Sequence, residues 1–293
     1  MNHAKTCIVV EDALLNISKA SFEESVHKHL KKDYFHYHIV YCEDLSSAKK
    51  TVEECVRDHY DFVIIGGGNA FINRLAGLLV RKQTCMGILP LGSLNGLASH
   101  LKVNYPLLED SFESINRRTI KQIDTASLNE RFFVNIAGLG LDASLVRKFE
   151  HSKIPSGFSL LFSVLAEYRK AKNHRVRVLT DEEEYSGSVF WLVITNGKQY
   201  GDRLYINPRA SISDGMLEVC LFKKPDWFEL PFFIWNLIRK NDFSESRMIR
   251  LRAKEFYIEN SFPYLQMDGI LLDAPAEIRV AADPQSLRIL VNK

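Results

Sequence analysis

The chain has 293 residues, of which 46% are hydrophobic and 25% charged, and its formal net charge is +2. That is length enough for two domains and the composition of an ordinary folded protein. The near-neutral balance argues against a nucleic-acid binder, and no window approaches the ~20 apolar residues of a membrane-spanning helix.

The five cysteines, Cys7, Cys42, Cys55, Cys85 and Cys220, are odd in number, scattered and never in a C-x-x-C pair. They are expected to be free thiols of a reducing cytoplasm, not a disulfide framework or zinc site. Lys5 leads into a short strand-like run, Thr6 to Val10, and then into acid, which is not a signal-peptide pattern. The expected location is cytoplasmic, peripheral to the membrane at most.

In chain order, Thr6 to Val10 is predicted as the first strand. Ser18 to Lys32 is predicted as a helix, with Phe22, Val26 and Leu30 on one face. Tyr34 to Tyr41 alternates as a second strand, and Leu45 to Tyr60 forms a helix capped by Asp44 or Ser46. His36 and His38 share a strand face, but no carboxylate or thiol stands beside them at ligand spacing, so solvated histidines are expected.

Phe62 to Ile65 is an apolar, β-branched run suited to a strand buried on both faces. Gly66, Gly67 and Gly68 are expected to end it, and Phe71, Ile72, Leu75, Leu78 and Leu79 then repeat at helical spacing. A strand, a glycine turn and a helix gather free backbone N–H groups at the positive end of a helix dipole, which is the outline of a phosphate cradle. It is equally the outline of a tight βα turn that binds nothing.

The phrase returns at Met86 to Leu101, where a short strand leads through Gly92-Ser93-Leu94-Asn95 into a helix. Two such turns after neighbouring parallel strands lie at the carboxyl edge of the sheet, where open α/β folds bind ligands. Neither turn is a P-loop or a true G-x-G-x-x-G.

Beyond Leu107 to Asn116, a short helix, strand-like runs replace the βα alternation. They are Thr119 to Thr125, Phe132 to Ala137, Arg175 to Leu179, Tyr185 to Asn196, Met216 to Phe222, Lys254 to Asn260 and Ser286 to Val291. Pro155 to Lys172 is predicted as a helical insert with Phe158, Leu161, Phe162, Leu165 and Tyr168 on one face. Asp226 to Lys240 opens on an Asp-x-x-Glu cap and is apolar all round, with Trp227 and Trp235 near its ends. Such a helix is buried, oligomeric or in contact with a lipid surface, and packing against the core is the favoured expectation.

The two glycine turns, with Phe133 to Ala143, Asn207 to Gly215 and Leu265 to Gly269, resemble in order and spacing the diacylglycerol kinase catalytic-domain family, which includes sphingosine kinases and bacterial lipid kinases. The resemblance implies an α/β fold of the NAD-kinase/diacylglycerol-kinase type: a parallel-sheet domain over residues 1–124, rejoined by a C-terminal strand at 284–293, and an antiparallel β-sandwich domain over 125–283. The site is expected in the cleft between them. It also implies ATP and Mg2+ as cofactors and a lipid or other small-molecule acceptor, while transient membrane-surface contact is expected from the Asp226 to Lys240 segment.

By the same resemblance Gly66, Gly67, Gly68, Asn69, Gly92, Ser93 and Asn95 would hold the nucleotide, Asp124 would approach the metal, and Asp268 would be the base for the acceptor hydroxyl. The chain departs from the family where charge matters. The family's G-G-D-G-T-x-N-E reads Gly67-Gly68-Asn69-Ala70-Phe71-Ile72-Asn73-Arg74, its N-D reads Asn95-Gly96, and its D-G-E reads Asp268-Gly269-Ile270. Val10-Glu11-Asp12-Ala13-Leu14 replaces an N-P-x-S-G phosphate loop. Weak nucleotide binding is expected. The alternatives are a weak kinase, a non-catalytic lipid- or nucleotide-binding relative and an NAD kinase.

Overall fold

The computed structural model describes residues 3–91, 95–103, 108–148, 158–200, 204–239 and 242–292, the side chains of 158–161 excepted. The chain forms two compact units, Met1–Ile123 with Gln285–Lys293, and Asp124–Pro284.

The first unit runs β1 (Ala4–Glu11), α1 (Lys19–His29), β2 (Phe35–Cys42), α2 (Leu45–Arg57), β3 (Phe62–Gly67), α3 (Asn69–Ala76), β4 (Cys85–Pro90), α4 (Gly96–His100) and α5 (Leu108–Asn116). The helices begin where capping chemistry starts them. The Ser18 hydroxyl accepts the Ser21 N–H at 3.1 Å, and the Asp44 carboxylate accepts the Ser47 N–H at 2.7 Å. The four strands are parallel in the order β2-β1-β3-β4. Phe22 and Val26 of α1 and Phe112 and Ile115 of α5 pack with Ile8, Val10, Phe62 and Ile64 in one core. α2 contributes Val52 and Cys55, and α3 contributes Ile72 and Leu75, all buried.

β3 does not stop at Ile65. Gly66 pairs with Val10 and Leu89, and Gly67 with Pro90, because a glycine flanked by two strands still fills its place in the ladder. Only Gly68 remains as the turn, and it is the N-cap of α3.

The second unit continues with β5 (Ile120–Leu128), which starts in the first unit, β6 (Arg131–Phe133), β7 (Ile136–Gly140), α6 (Leu141–Lys148), α7 (Phe158–Lys170), β8 (His174–Leu179), β9 (Glu184–Val189) and β10 (Trp191–Thr195). Then come β11 (Gln199–Tyr200), β12 (Leu204–Tyr205), β13 (Leu217–Phe222), α8 (Leu230–Arg239), β14 (Met248–Ala253), β15 (Glu255–Asn260), β16 (Tyr264–Met267), β17 (Ile270–Asp273) and β18 (Glu277–Leu290). One antiparallel sheet has the order β14-β13-β10-β7-β16-β17, and a second has β18-β15-β8-β9. β18 pairs with β15 through Glu277 to Ala281, and then, past Pro284, its Ile289 pairs with Met86 of the first unit's sheet.

Period-2 alternation gives this unit two cores. Leu192, Ile194, Val219 and Leu221 face Val176, Val178, Ile258 and Ile278 of the other sheet. Their neighbours Trp191, Val193, Cys220 and Phe222 point the other way, onto Tyr168 of α7 and Phe233 and Leu237 of α8.

Several predicted elements shift. The run 132–137 is two strands, because the Val134 and Asn135 N–H groups leave the ladder for the Asp268 carboxylate. The run 185–196 splits at Phe190, fully buried, where the chain crosses from one sheet to the other. α6 and β14 were not anticipated. On α7, Tyr168 is buried and Leu165 packs against the core as expected, but Phe162 of the expected face is 69% exposed and Val164, outside it, is buried. α8 starts only at Leu230, and Asp226–Glu229 is a turn before it, with the Asp226 N–H donating to Glu229 at 2.9 Å. All five cysteines are free and buried. No helix among the described residues is long and apolar enough to cross a membrane.

Candidate active site

In the order β2-β1-β3-β4 the connections leave β1 in opposite directions, so β1 and β3 border the switch point where open α/β sheets take ligands. β1 ends there in Glu11, and β3 ends there in Gly67. The Glu11 carboxylate accepts the Gly68 N–H at 2.8 Å, so the N-terminus of α3 is already met by an anion from the same chain.

The rest of this turn is filled. A Cβ on Gly67 would lie 2.6 Å from the Phe71 ring and 2.8 Å from the Glu11 carboxylate, and one on Gly68 would lie 2.9 Å from Leu14. Neither residue has a positive φ, so what a side chain here would displace is the ends of the Phe71, Glu11 and Leu14 side chains. Phe71 is 7% exposed. Asn69 accepts a long hydrogen bond, 3.4 Å, from Asn73, one turn along α3. Asn95 caps α4, taking the Ala98 N–H at 2.9 Å, and is buried. Gly92 and Ser93 lie outside the described residues.

The two candidate acids belong to the second unit. Asp124 is fully buried, and its carboxylate accepts the Gly215 N–H at 2.6 Å. Its backbone N–H donates to Ile212 at 2.7 Å, so it closes the loop 212–215 from two points. Asp268 and Gly269, with φ of 48° and 86°, form the two-residue turn between β16 and β17. The Asp268 carboxylate accepts three backbone N–H groups, from Val134 at 2.7 Å, Asn135 at 3.1 Å and Ile136 at 3.0 Å. Burial pushes this carboxyl up to about 6, against the lowering effect of those three donors.

A second buried acid stands beside this turn. Asp142, at the start of α6, receives hydrogen bonds from the Tyr200 hydroxyl, from Gln266 at 3.0 Å and from the Ala143 N–H at 2.8 Å. Burial pushes it up to about 6, and its charge together with burial drives the Tyr200 phenol well above its ordinary value. Gln266 also donates to the Tyr200 oxygen, and its carbonyl accepts the Gly269 N–H at 3.0 Å. Asp142, Tyr200 and Gln266 therefore brace the Asp268-Gly269 turn. Sequence reading left this trio unassigned. The one visible signal was an acid inside the apolar run Ala137 to Ala143.

Among the described residues of the first turn, the Gly68 N–H is taken by Glu11, and the Phe71 ring packs against Gly67. No group of three or more His, Cys, Asp or Glu able to hold a metal occurs among the described residues. One cavity of about 510 Å³ in the first unit lies elsewhere, lined by Arg81, Lys82, Gln83 and Arg288 among others. Gln83 precedes β4, so this cavity is at the amino edge of the sheet, opposite the glycine turns.

Residues 13–128 match the diacylglycerol kinase catalytic domain, and residues 135–291 match the YegS C-terminal NAD kinase beta sandwich-like domain. Among curated relatives, "Probable lipid kinase YegS-like" of Pseudomonas aeruginosa strain PAO1 is 25% identical over 247 residues, 83% of this chain and 80% of that protein. A Yersinia pestis protein of the same name is 29% identical over 202 residues, 66% of this chain and 68% of its own. A crystal structure of a diacylglycerol kinase from Bacillus anthracis has a TM-score of 0.77 over 100% of this chain and 98% of that one, at 16% identity, a likeness of fold. With both halves matched in order and the parallel-sheet and antiparallel units in place, the chain belongs to the diacylglycerol kinase catalytic-domain family, in the form that carries the YegS-type C-terminal domain.

Proposed function

We propose that this protein is a lipid-binding member of the family whose nucleotide cradle is closed by its own side chains, so that it binds Mg-ATP weakly and has lost efficient phosphorylation of lipid hydroxyls. The observation that carries this reading is the Glu11 carboxylate on the Gly68 N–H at 2.8 Å. A helix N-terminus favours an anion by about 0.3–1 kcal/mol, up to about 2 when partly buried. A phosphate charge about 4 Å from the Glu11 carboxylate is opposed by roughly 4 kcal/mol at an effective dielectric constant near 20. Repulsion wins unless Glu11 swings away, and that forfeits a charge-assisted hydrogen bond of about 1.5–3 kcal/mol. The neutral Asn69 and Gly96, where the family has aspartates, remove the compensating hold on magnesium.

Thermal unfolding with titrated Mg-ATP tests the reading. Ligand at about 100 times its dissociation constant stabilises by about 2.7 kcal/mol, a shift of several degrees. The wild type should show little shift at millimolar Mg-ATP, and Glu11→Gln with Phe71→Thr should show a larger one. A clear wild-type shift at tens of micromolar overturns the proposal.

A second reading, a slow working kinase, draws support from Asp268, whose proton affinity near pH 6 suits a general base. It requires wild-type phosphorylation of diacylglycerol, sphingosine-like or phosphatidylglycerol acceptors above background. Asp268→Asn should then lower that rate roughly 10²–10⁴-fold. Background activity in the wild type, unchanged by Asp268→Asn, favours the first reading.

A further inference from the structure

The cavity of about 510 Å³ at the amino edge of the first unit's sheet uses none of the residues of the glycine turns or of the buried acids. Three of its lining residues, Arg81, Lys82 and Arg288, are cationic, and among the described residues no acid lines it. The other walls are polar, three glutamines and a serine, apart from Ile120. Elsewhere on the surface cations meet acids, as Arg177 meets Glu184 and Glu259, and Arg252 meets Asp214 and Glu218. Among the described residues neither Lys82 nor Arg288 is in an ion pair. Positive charge gathered in a concavity and left without a counter-charge favours an anionic ligand.

The walls are held by main chain. Arg81 and Gln285 both have a left-handed backbone, with φ of 58° and 49°, a conformation that L side chains rarely adopt. The Arg81 N–H donates to the Ser286 carbonyl at 2.6 Å, which ties these two positions together. Backbone of this kind persists only where the surrounding structure fixes it, and it clusters at ligand sites. Arg288 is oriented through its Nη1, which donates to the Gln83 carbonyl at 2.6 Å and to the Gln83 side-chain oxygen at 2.9 Å. Both partners are neutral, so the guanidinium is positioned without its charge being cancelled, and its Nε and Nη2 donors remain for a ligand. The next residue, Ile289 of β18, pairs with Met86 of β4, so the cavity lies at the seam of these two strands.

We propose that this cavity binds a small soluble phosphate monoester, with the phosphate held by Lys82 and Arg288 and the hydroxylated carbon chain against the glutamine walls. A phosphate monoester carries close to two negative charges at neutral pH and three strong acceptor oxygens, which suits several cations in one concavity. A carboxylate brings a single charge. The volume is in the range of small-molecule sites and leaves room beyond the phosphate itself. Among the described residues no aromatic face lines the cavity for a nucleotide base to stack on. Ile120 alone is too little apolar wall for an acyl chain, so the soluble ester fits better than a lipid. A ligand here joins the segment before β4 to β18 and stabilises the folded state. The site does not depend on whether the glycine cradle takes a nucleotide.

Titration calorimetry of the full chain with glycerol 3-phosphate, without magnesium or nucleotide, is the test. The wild type should bind with a dissociation constant below about 1 mM, the upper end of ordinary metabolite affinities. Inorganic phosphate should bind more weakly, and acetate at matched ionic strength not measurably. Lys82→Gln should weaken the ester by about tenfold, the worth of one charge-assisted contact. Lys82 is exposed, so this variant should melt with the wild type. Arg288→Gln should weaken binding at least as much, and is read only from protein that melts as a folded chain, since Arg288 also holds Gln83. Absence of heat with glycerol 3-phosphate up to about 10 mM, ten times that limit, overturns the proposal. So does binding that both variants leave unchanged, binding that acetate matches, or binding of phosphatidic acid in vesicles with none of the soluble ester. Neither Glu11 nor Phe71 lines this cavity and no ATP is present, so these outcomes are separate from the Mg-ATP thermal-shift result.

Discussion

At the scale of single residues, the polar substitutions in the motifs were legible and their consequences were not. The sequence displays Asn69, Phe71 and Glu11 at charged or hydroxyl positions of the family pattern, but not that Glu11 reaches 57 residues along the chain to Gly68. Such a bond depends on β1 and β3 being neighbours, which is a property of the sheet. Asp268 carries the same lesson. Its role in the turn follows from Asp-Gly chemistry, whereas its grip on Val134, Asn135 and Ile136 follows from the packing of β16 on β7. That grip sets a prediction. In Asp268→Asn one carboxylate oxygen becomes an NH2 group facing a backbone N–H, which leaves a buried donor unsatisfied and costs about 1–3 kcal/mol. Urea unfolding should show that loss. A variant as stable as the wild type would mean the carboxylate is not the anchor of this loop. Any activity change in Asp268→Asn is read only from protein shown to be folded at the assay temperature.

At the scale of elements, regular periodicity was reliable and crossings between layers were not. The strands of the first unit and the strands 174–179 and 217–222 were visible because each buries a continuous or alternating run. The run 185–196 reads as one strand because nothing local marks Phe190 as the point where the chain changes sheets. On α7 both faces carry apolar residues, so Tyr168 and Leu165 were placed inward from the sequence but only the core decides between Phe162 and Val164. The end of β7 shows how tightly such joints are built. Gly140 has a φ of 101°, and a Cβ there would meet the Phe190 carbonyl oxygen at 2.3 Å. Gly140→Ala combines a disfavoured backbone with a clash against main chain that cannot rotate away. It should destabilise by about 3 kcal/mol or more, seen as a lowered urea midpoint. A change within about 0.5 kcal/mol, the range of ordinary surface substitutions, would show that the backbone relaxes there.

At the scale of the whole molecule, buried acids set how stability follows pH. Burial pushes Asp142 and Asp268 up to about 6 and Glu218 up to about 7, the last with a further push from Asp214 and partial relief from Arg252 at 3.5 Å. In the unfolded chain these groups titrate near 4. Between roughly pH 4 and 7 the folded protein therefore binds more protons than the unfolded one, and stability falls as pH rises through that window. Each shifted unit is worth about 1.4 kcal/mol, so each acid carries on the order of 3 kcal/mol before local rearrangement. Other groups act the other way, among them Asp44, held low by the Ser47 N–H it caps, Asp242 and His38. Asp242, held low by its hydrogen bond and ion pair with Arg250 and by Arg209, contributes stability that is lost only as pH falls through its depressed value. His38, lowered by burial, favours the folded state as pH rises through the histidine range. Three raised acids outweigh one lowered histidine, so urea unfolding should give a higher stability near pH 5 than near pH 7.5. Asp142→Asn should reduce that difference, because it removes one proton from the folded state's excess, whatever its effect on absolute stability. If stability instead climbs steadily from pH 5 to pH 7.5, the carboxyls of Asp142, Asp268 and Glu218 ionise in the folded protein as easily as in water. The brace of Asp142, Tyr200 and Gln266 would then be a solvated surface feature and not a buried one.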